Sequence, residues 1–413
     1  MASLPERGMS GDEIVAALER KREHDARWQD GRTFGLVFTA GPEVDALAER
    51  VATMFVHDNA LNPAAFPSLA EIERDVVGIS LDLMHGPDGA AGFMTSGGTE
   101  SILMAVVAAR ERARVERGIT GGEIVLPVSA HAAFHKAAHY FGLTVRPVPV
   151  DAGWRADVEA AAEVVNDRTV LVVGSAPQYP QGVVDPIPEL AALARGVGAS
   201  FHTDACMGGF VLPFMERLGE PVPPWDFRVG GVTTISADIH KLGYAPKGAS
   251  VVLHRSKKLR SYQTFLFDDW LGGFYGSPNM QGTRLGMPMA TAWAVLHHIG
   301  LDGYLRLTRE TVDATRQIAD GVRRIAGLRL LAEPAAHLLA IGSDGVDVFT
   351  VGDGLHAAGW HVDRQGPPDS LHLTVSAGNV PVVREFLADL EAAADEARGA
   401  RVTDRSTSYA GTD

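Results

Sequence analysis

Cysteine occurs once, at Cys206. One thiol cannot close an internal disulfide, and no cysteine-based zinc site can be built from it, so no metal is expected. Such usage fits a reducing compartment, and a cytoplasmic location is expected. No run approaches the ~18 consecutive apolar residues of a membrane-spanning helix, so no transmembrane anchor is expected. The opening stretch MASLPERGMSGDEIVAALERKREHDARW has no apolar h-region and reads as a polar amphipathic helix. Positive charge is also scarce: 37 Lys and Arg against 51 Asp and Glu give a net charge of −14. That balance, with no basic stripe interleaved with aromatics, argues against nucleic acid as a partner. Repeats and low-complexity blocks are absent. What remains is 413 residues, 46% hydrophobic and 21% charged. This is an ordinary globular composition with room for two or three domains.

Punctuation divides the chain. A first helix is expected over residues 11–27, then a Gly-rich link at Asp30-Gly31-Arg32. Gly41-Pro42 opens a helix to about Val56. Ser68-Leu69-Ala70-Glu71 reads as a capping box for a helix ending near His85-Gly86. Strand-like runs then fall at 123–128, 144–149, 168–174, 199–203, 232–236 and 249–254. Helical patterns fall at 99–117, 132–141, 155–165, 187–195 and 286–299. This alternation predicts an α/β fold with a large, doubly wound, mostly parallel sheet. A long helix near 302–326, further strands and a helix at 381–397 suggest a smaller C-terminal α+β domain. The expected division is an N-terminal helical arm (1–57), a large domain (58–300), a small domain (301–400) and a disordered tail (401–413).

Four short motifs carry chemistry. Gly97-Gly98-Thr99, at the start of a helix, lets backbone N–H groups approach an anion at the positive helix end. A Gly-rich helix entry with a Thr cap is the competing reading. His131 follows a strand, where an imidazole can stack on a flat ring or serve the core as a satisfied histidine. Asp204 ends another strand, where ligands bind in open α/β sheets. It can pair with a protonated pyridine nitrogen or cap a helix. Lys241, in Ser236-Ala237-Asp238-Ile239-His240-Lys241, lies in a turn between two buried strands. A lysine withdrawn from solvent is a nucleophilic amine, and its usual employment is a Schiff base with a carbonyl or with pyridoxal phosphate (PLP). A surface lysine in a loop is the plainer alternative. The order of the four is what decides. Phosphate, ring face, ring nitrogen and aldehyde carbon of PLP each need one partner, and each motif follows a successive strand.

The longer segments MTSGGTESILMAV (94–106), SAHAAFHKAAHYFG (129–142), APQYPQGVVDPI (176–187), HTDACMGGFVLPF (202–214), SADIHKLGYAPKGASVVLHR (236–255) and GTRLGMPMATAWAVLHHIG (282–300) resemble the PLP-dependent group II decarboxylase superfamily. Within it they look most like the sphingosine-1-phosphate lyases and their bacterial relatives. The resemblance runs from about residue 30 to 395. It implies PLP-dependent transferase fold type I, with an aspartate aminotransferase-like large domain. It further implies that Lys241 is the Schiff-base lysine, that Asp204 pairs with the pyridinium nitrogen and that His131 stacks on the ring. Gly97, Gly98, Thr99 and His240 would hold the cofactor phosphate. Thr283 and Tyr179 would reach across the interface of a homodimer with shared active sites. Lys247 would contact substrate or carry protons, and Asn59 would lie near the substrate's polar end. Arg284 is either an anion partner for substrate or an interface arginine.

The chain departs from the lyase pattern at three places. Phe38 stands where the lyases have tyrosine, and Asn62 where they have histidine. Those two family residues help hold the substrate phosphate, so their absence implies an altered phosphate subsite. Asn379 also replaces a histidine. The expected activity is therefore carbon–carbon cleavage, by retro-aldol reaction, of a β-hydroxy amine or amino acid. Amino-acid decarboxylation is the alternative. A non-catalytic scaffold of the same fold conflicts with the presence of Lys241, Asp204 and His131 together.

Overall fold

The computed structural model describes residues 3–400 and 402–407. A seven-stranded sheet forms its centre, built from β1 (Ala91–Thr95), β2 (Glu123–Pro127), β3 (Thr144–Val148), β4 (Thr169–Ser175), β5 (Ser200–Asp204), β6 (Thr234–Ala237) and β7 (Ser250–His254). Their spatial order is β1-β7-β6-β5-β4-β2-β3. The four pairs from β6 to β3 are parallel, and β7 runs antiparallel to both β6 and β1. Strands β2, β4, β5, β6 and β7 are buried along their whole length. That is why β2, β4 and β7 read as near-continuous Val, Ile and Leu runs, whereas β5 and β6 bury polar side chains as well. Because β7 alone is reversed, the carboxyl ends of β1, β2, β5 and β6 all reach the same edge of the sheet.

The helices before the sheet are α1 (Gly11–Lys21), α2 (Pro42–Met54) and α3 (Pro67–Leu83). Ser10 caps α1 in a reciprocal pair with Glu13. The expected capping box at Ser68 is corrected by α3. Pro67 takes the first helical position after Phe66, and no side chain caps that end. Proline has no N–H to satisfy there and its φ is preset for a helix, so it displaces the serine from the cap. The next helix, α4 (Gly98–Arg117), is 20 residues long. The helix Gly286–Arg324 breaks at Gly300, whose φ of 62° lies in the left-handed region. The two helical patterns expected there are thus two segments of one bent element.

A second, four-stranded antiparallel sheet is made of Leu328–Leu330, Leu338–Ser343, Ser370–Thr374 and Asp363–Gln365, in that order. It has its own apolar core, which includes Phe34 from the N-terminal segment. Phe34 is fully buried and packs against Trp360 and Phe386. Burying such a ring contributes about 2–3 kcal/mol and ties the segment down. Asn379 reinforces the joint: its amide donates to the carbonyls of Gly31 (2.8 Å) and Thr33 (3.0 Å). Residues 31–34 therefore pack with the C-terminal sheet, and Asn379 acts as a structural clamp. The tail expected to be disordered is held over 402–407, where Arg405 pairs with Asp347 and Asp369. Residues 401 and 408–413 lie outside the described residues. Among the described residues no helix is long and apolar enough to cross a membrane.

Candidate active site

Each expected strand-end group arrives at the shared sheet edge. The loop 96–100, His131, Asp204, Asp238, His240 and Lys241 line one cavity of about 300 Å³. Gly97 precedes the first turn of α4, so the positive end of that helix faces the cavity. A Cβ on Gly98 would come within 2.8 Å of both Asp238 Oδ2 and Cys206 Sγ, so the loop can lie this deep only with glycine at that position. Glu100, in the same first turn, has its carboxylate engaged by the protein: it accepts from the Ser96 amide (2.6 Å) and the Met280 amide (3.0 Å).

Asp204 Oδ1 accepts from the Cys206 amide at 3.1 Å and from the Ser236 hydroxyl at 3.2 Å. His131 Nδ1 accepts from the Ala133 amide at 3.1 Å. Burial lowers the His131 pKa, and the Lys241 charge adds to this against the opposing pull of Asp204 and Asp238. The ring is therefore a neutral imidazole, suited to lie against a flat heterocycle. His240 is lowered to about 4, mainly by burial. Its Nδ1 accepts from the Ala249 amide at 3.3 Å, which leaves its one proton on Nε2 as a donor.

Lys241 Nζ sits 2.9 Å from Asp238 Oδ2. Asp238 is buried; its Oδ1 has no hydrogen-bond partner among the described residues. Burial raises its pKa, yet the Lys241 and His240 groups outweigh this and hold it below the usual value. Sequence reasoning did not single Asp238 out. Its spacing three residues before the lysine is the signal that could have found it.

Other expected site residues lie elsewhere. Lys247 Nζ stands 4.7 Å from the centroid of the Phe38 ring and donates to the His240 carbonyl at 3.2 Å. The residue is exposed, yet loss of solvation, followed by the Lys241 charge, lowers its pKa to about 8. Asn62 is exposed and its side-chain oxygen accepts from the Ala64 amide. Asn59 accepts from the Leu61 amide, and its backbone pairs with that of Leu285. Thr283 is exposed beside it, outside the cavity. Arg284, considered as an anion partner, instead forks onto Glu73, which also accepts from the Met94 amide. Tyr179 donates to Asp363 at 3.0 Å and stacks on His372. It lines a second cavity of about 450 Å³ that shares His131 with the first.

The donor set fits pyridoxal phosphate. A helix amino end with a glycine approach suits phosphate, a neutral imidazole suits a ring face, a carboxylate suits a ring nitrogen, and an amine suits an aldehyde. All four line one cavity. Among the described residues no cluster of His, Cys, Asp and Glu could hold a metal ion.

The model of the pyridoxal-dependent decarboxylase conserved domain matches residues 5–341. The sphingosine-1-phosphate lyase of Arabidopsis thaliana is 41% identical over 400 residues, covering 95% of this chain and 73% of that one. A probable L-tyrosine/L-aspartate decarboxylase of Methanothrix thermoacetophila is 36% identical, over 95% of this chain and 97% of that one. Among solved structures, the sphingosine-1-phosphate lyase of Burkholderia pseudomallei superposes with a TM-score of 0.93 at 39% identity, covering 97% of this chain and 94% of that one.

Proposed function

This chain belongs to the pyridoxal-dependent decarboxylase family and is a PLP-dependent lyase; on that premise we propose that it cleaves the Cα–Cβ bond of a β-hydroxy amine or amino acid. Bound pyridoxal phosphate supplies an electron sink for a bond at the amine-bearing carbon. The protein's own groups do the rest. The amides of Gly97 and Gly98, with Thr99 and the Nε2–H of His240, bind the phosphate. Asp204 would accept a hydrogen bond from the protonated ring nitrogen, and His131 would pack on the ring face. Lys241 is the covalent anchor, oriented by Asp238.

The observation that favours the lyase reading is Lys247. A carbon–carbon cleavage of this kind needs a base for the β-hydroxyl proton. An amine with a pKa near 8, tied to the carbonyl of the cavity residue His240, suits that task. A decarboxylase must hold the substrate carboxylate out of the ring plane, and Arg284, the anion partner considered for it, is already engaged by Glu73. Phe38 presents an aromatic face where a hydroxyl would hold phosphate, and the Asn62 amide oxygen is used by its own turn. The substrate is therefore held less through a phosphate than in the lyases this chain resembles.

The active form in this reading is a homodimer. The hairpin Phe265–Phe267 and Tyr275–Ser277 exposes Phe265, Leu266, Trp270, Leu271 and Phe274, an apolar surface suited to a second copy. Tyr179 and Thr283 then serve the neighbouring subunit's site. The free, buried Cys206 suits a cytoplasmic setting. Incubating the PLP-loaded protein with amino acids and trapping carbon dioxide tests the choice of bond. No carbon dioxide above background is expected. Stoichiometric release would transfer the assignment to decarboxylation.

A further inference from the structure

The Asp204 carboxylate is the end of a hydrogen-bonded chain that begins on the neighbouring strand. β5 and β6 pair in parallel with His202 opposite Thr234 and Asp204 opposite Ser236. Residues two apart on a strand share a face, so all four side chains project to one side of the sheet. His202 Nδ1 lies 2.8 Å from Thr234 Oγ1, and its Nε2 lies 3.0 Å from Ser236 Oγ. Ser236 Oγ is 3.2 Å from Asp204 Oδ1, and Cys206 Sγ is 3.3 Å from Ser236 Oγ. All five residues are buried.

Donor counting sets the direction of the chain. A carboxylate oxygen only accepts, so Ser236 commits its one hydroxyl proton to Asp204. Ser236 then accepts from His202 Nε2–H and from the Cys206 thiol. Complete burial lowers the His202 pKa to about 4, so the ring is neutral with a single N–H. Its Nδ1 must therefore accept from Thr234. Every proton points toward Asp204. Aligned hydrogen bonds in a buried site polarise one another and hold the final acceptor in one orientation. A histidine that merely fills the core needs no such alignment.

We propose that His202, acting through Ser236, is a positioning residue that fixes the Asp204 carboxylate for the ring nitrogen of the bound cofactor. The proposal rests on the role assigned to Asp204 above. The hydrogen bonds of His202 and Ser236 run to Thr234, Cys206 and Asp204, so the ring nitrogen is where their loss should be read.

Binding, not turnover, tests this. The apo-protein is titrated with pyridoxal phosphate and with its 1-deaza analogue, which has carbon in place of the ring nitrogen. The wild type should prefer pyridoxal phosphate, and the ratio of the two affinities reads the Asp204 bond. Ser236→Ala should weaken pyridoxal phosphate binding roughly 10- to 100-fold, the loss expected for one hydrogen bond to a charged group. It should leave analogue binding unchanged, so the ratio collapses. His202→Phe should do the same. His202→Gln, whose amide can still donate to Ser236, should recover part of the preference. If His202→Phe fails to fold, Ser236→Ala removes only one oxygen and decides alone. A preference that survives Ser236→Ala, or equal losses for both ligands, overturns the positioning role. A wild type with no preference overturns the role of Asp204 itself, and this proposal with it.

Discussion

The Lys241 ammonium lies 2.9 Å from the Asp238 carboxylate three residues before it, and Asp238 is almost wholly shielded from solvent. A buried charge left without its partner is costly, whereas losing both partners is far less so. Lys241→Ala should therefore lower unfolding stability by roughly 3 kcal/mol. Adding Asp238→Asn to that variant should restore part of the loss. Denaturation midpoints of the two single variants and the double variant check this, and strict additivity would contradict the coupling. Lys241→Ala should also prevent borohydride from fixing the cofactor to the chain.

The altered subsite gives a second expectation. Phe38→Tyr with Asn62→His adds a hydroxyl donor and an imidazole where the lyases this chain resembles have them. A hydrogen bond to a charged group contributes about 1.5–3 kcal/mol, so kcat/KM for a phosphorylated β-hydroxy amine should rise roughly hundreds- to ten-thousand-fold if the two gains add. The unphosphorylated counterpart should change little. Steady-state kinetics on the matched pair of substrates provide the comparison.

Lys247 governs the expected pH profile. A base acts in its neutral form, so with its pKa near 8 the rate should climb as pH rises through 8 and level off above it. Arginine cannot give up its proton in this range. Lys247→Arg should therefore remove that limb and leave a flat, lowered profile.

Acid should weaken the fold before most carboxylates titrate. His202, His254 and His372 are fully buried, and burial brings each to about 4. In the unfolded chain each titrates near ~6.5. Between those values the unfolded state binds more protons, so stability is fully present above about pH 6.5 and falls as pH drops toward 4. Each histidine contributes on the order of 2 kcal/mol to that loss. Asp185, raised to about 6 by burial, titrates in the opposite sense and offsets part of it. Urea midpoints at pH 7 and pH 5 measure the net effect, and equal midpoints would contradict it.

Much of the site is legible in the chain because it hangs on strand ends. Lys241, Asp204 and His131 each follow a strand-like run long enough to be recognised, and the order of those runs places them together. The relay from His202 to Asp204 is not legible, since it depends on the register between β5 and β6, which no local pattern encodes. β1 escapes for a related reason: Gly92 interrupts it, and its close approach to Leu253 and Val252 is apparent only once β7 is in place. The packing of Phe34 with the C-terminal sheet joins residues some 300 positions apart, beyond any periodicity. Proline at position 67 overrode the capping signal at Ser68 because helix entry is decided by the first residue able to take it.

The central claim is carbon–carbon cleavage at a cofactor anchored on Lys241. Its most direct measurement is the product balance from a β-hydroxy amine incubated with the PLP-loaded protein. The account predicts one aldehyde and one shortened amine for each substrate consumed, with both absent from Lys241→Ala. Consumption of amino acids with release of carbon dioxide and no aldehyde would contradict it.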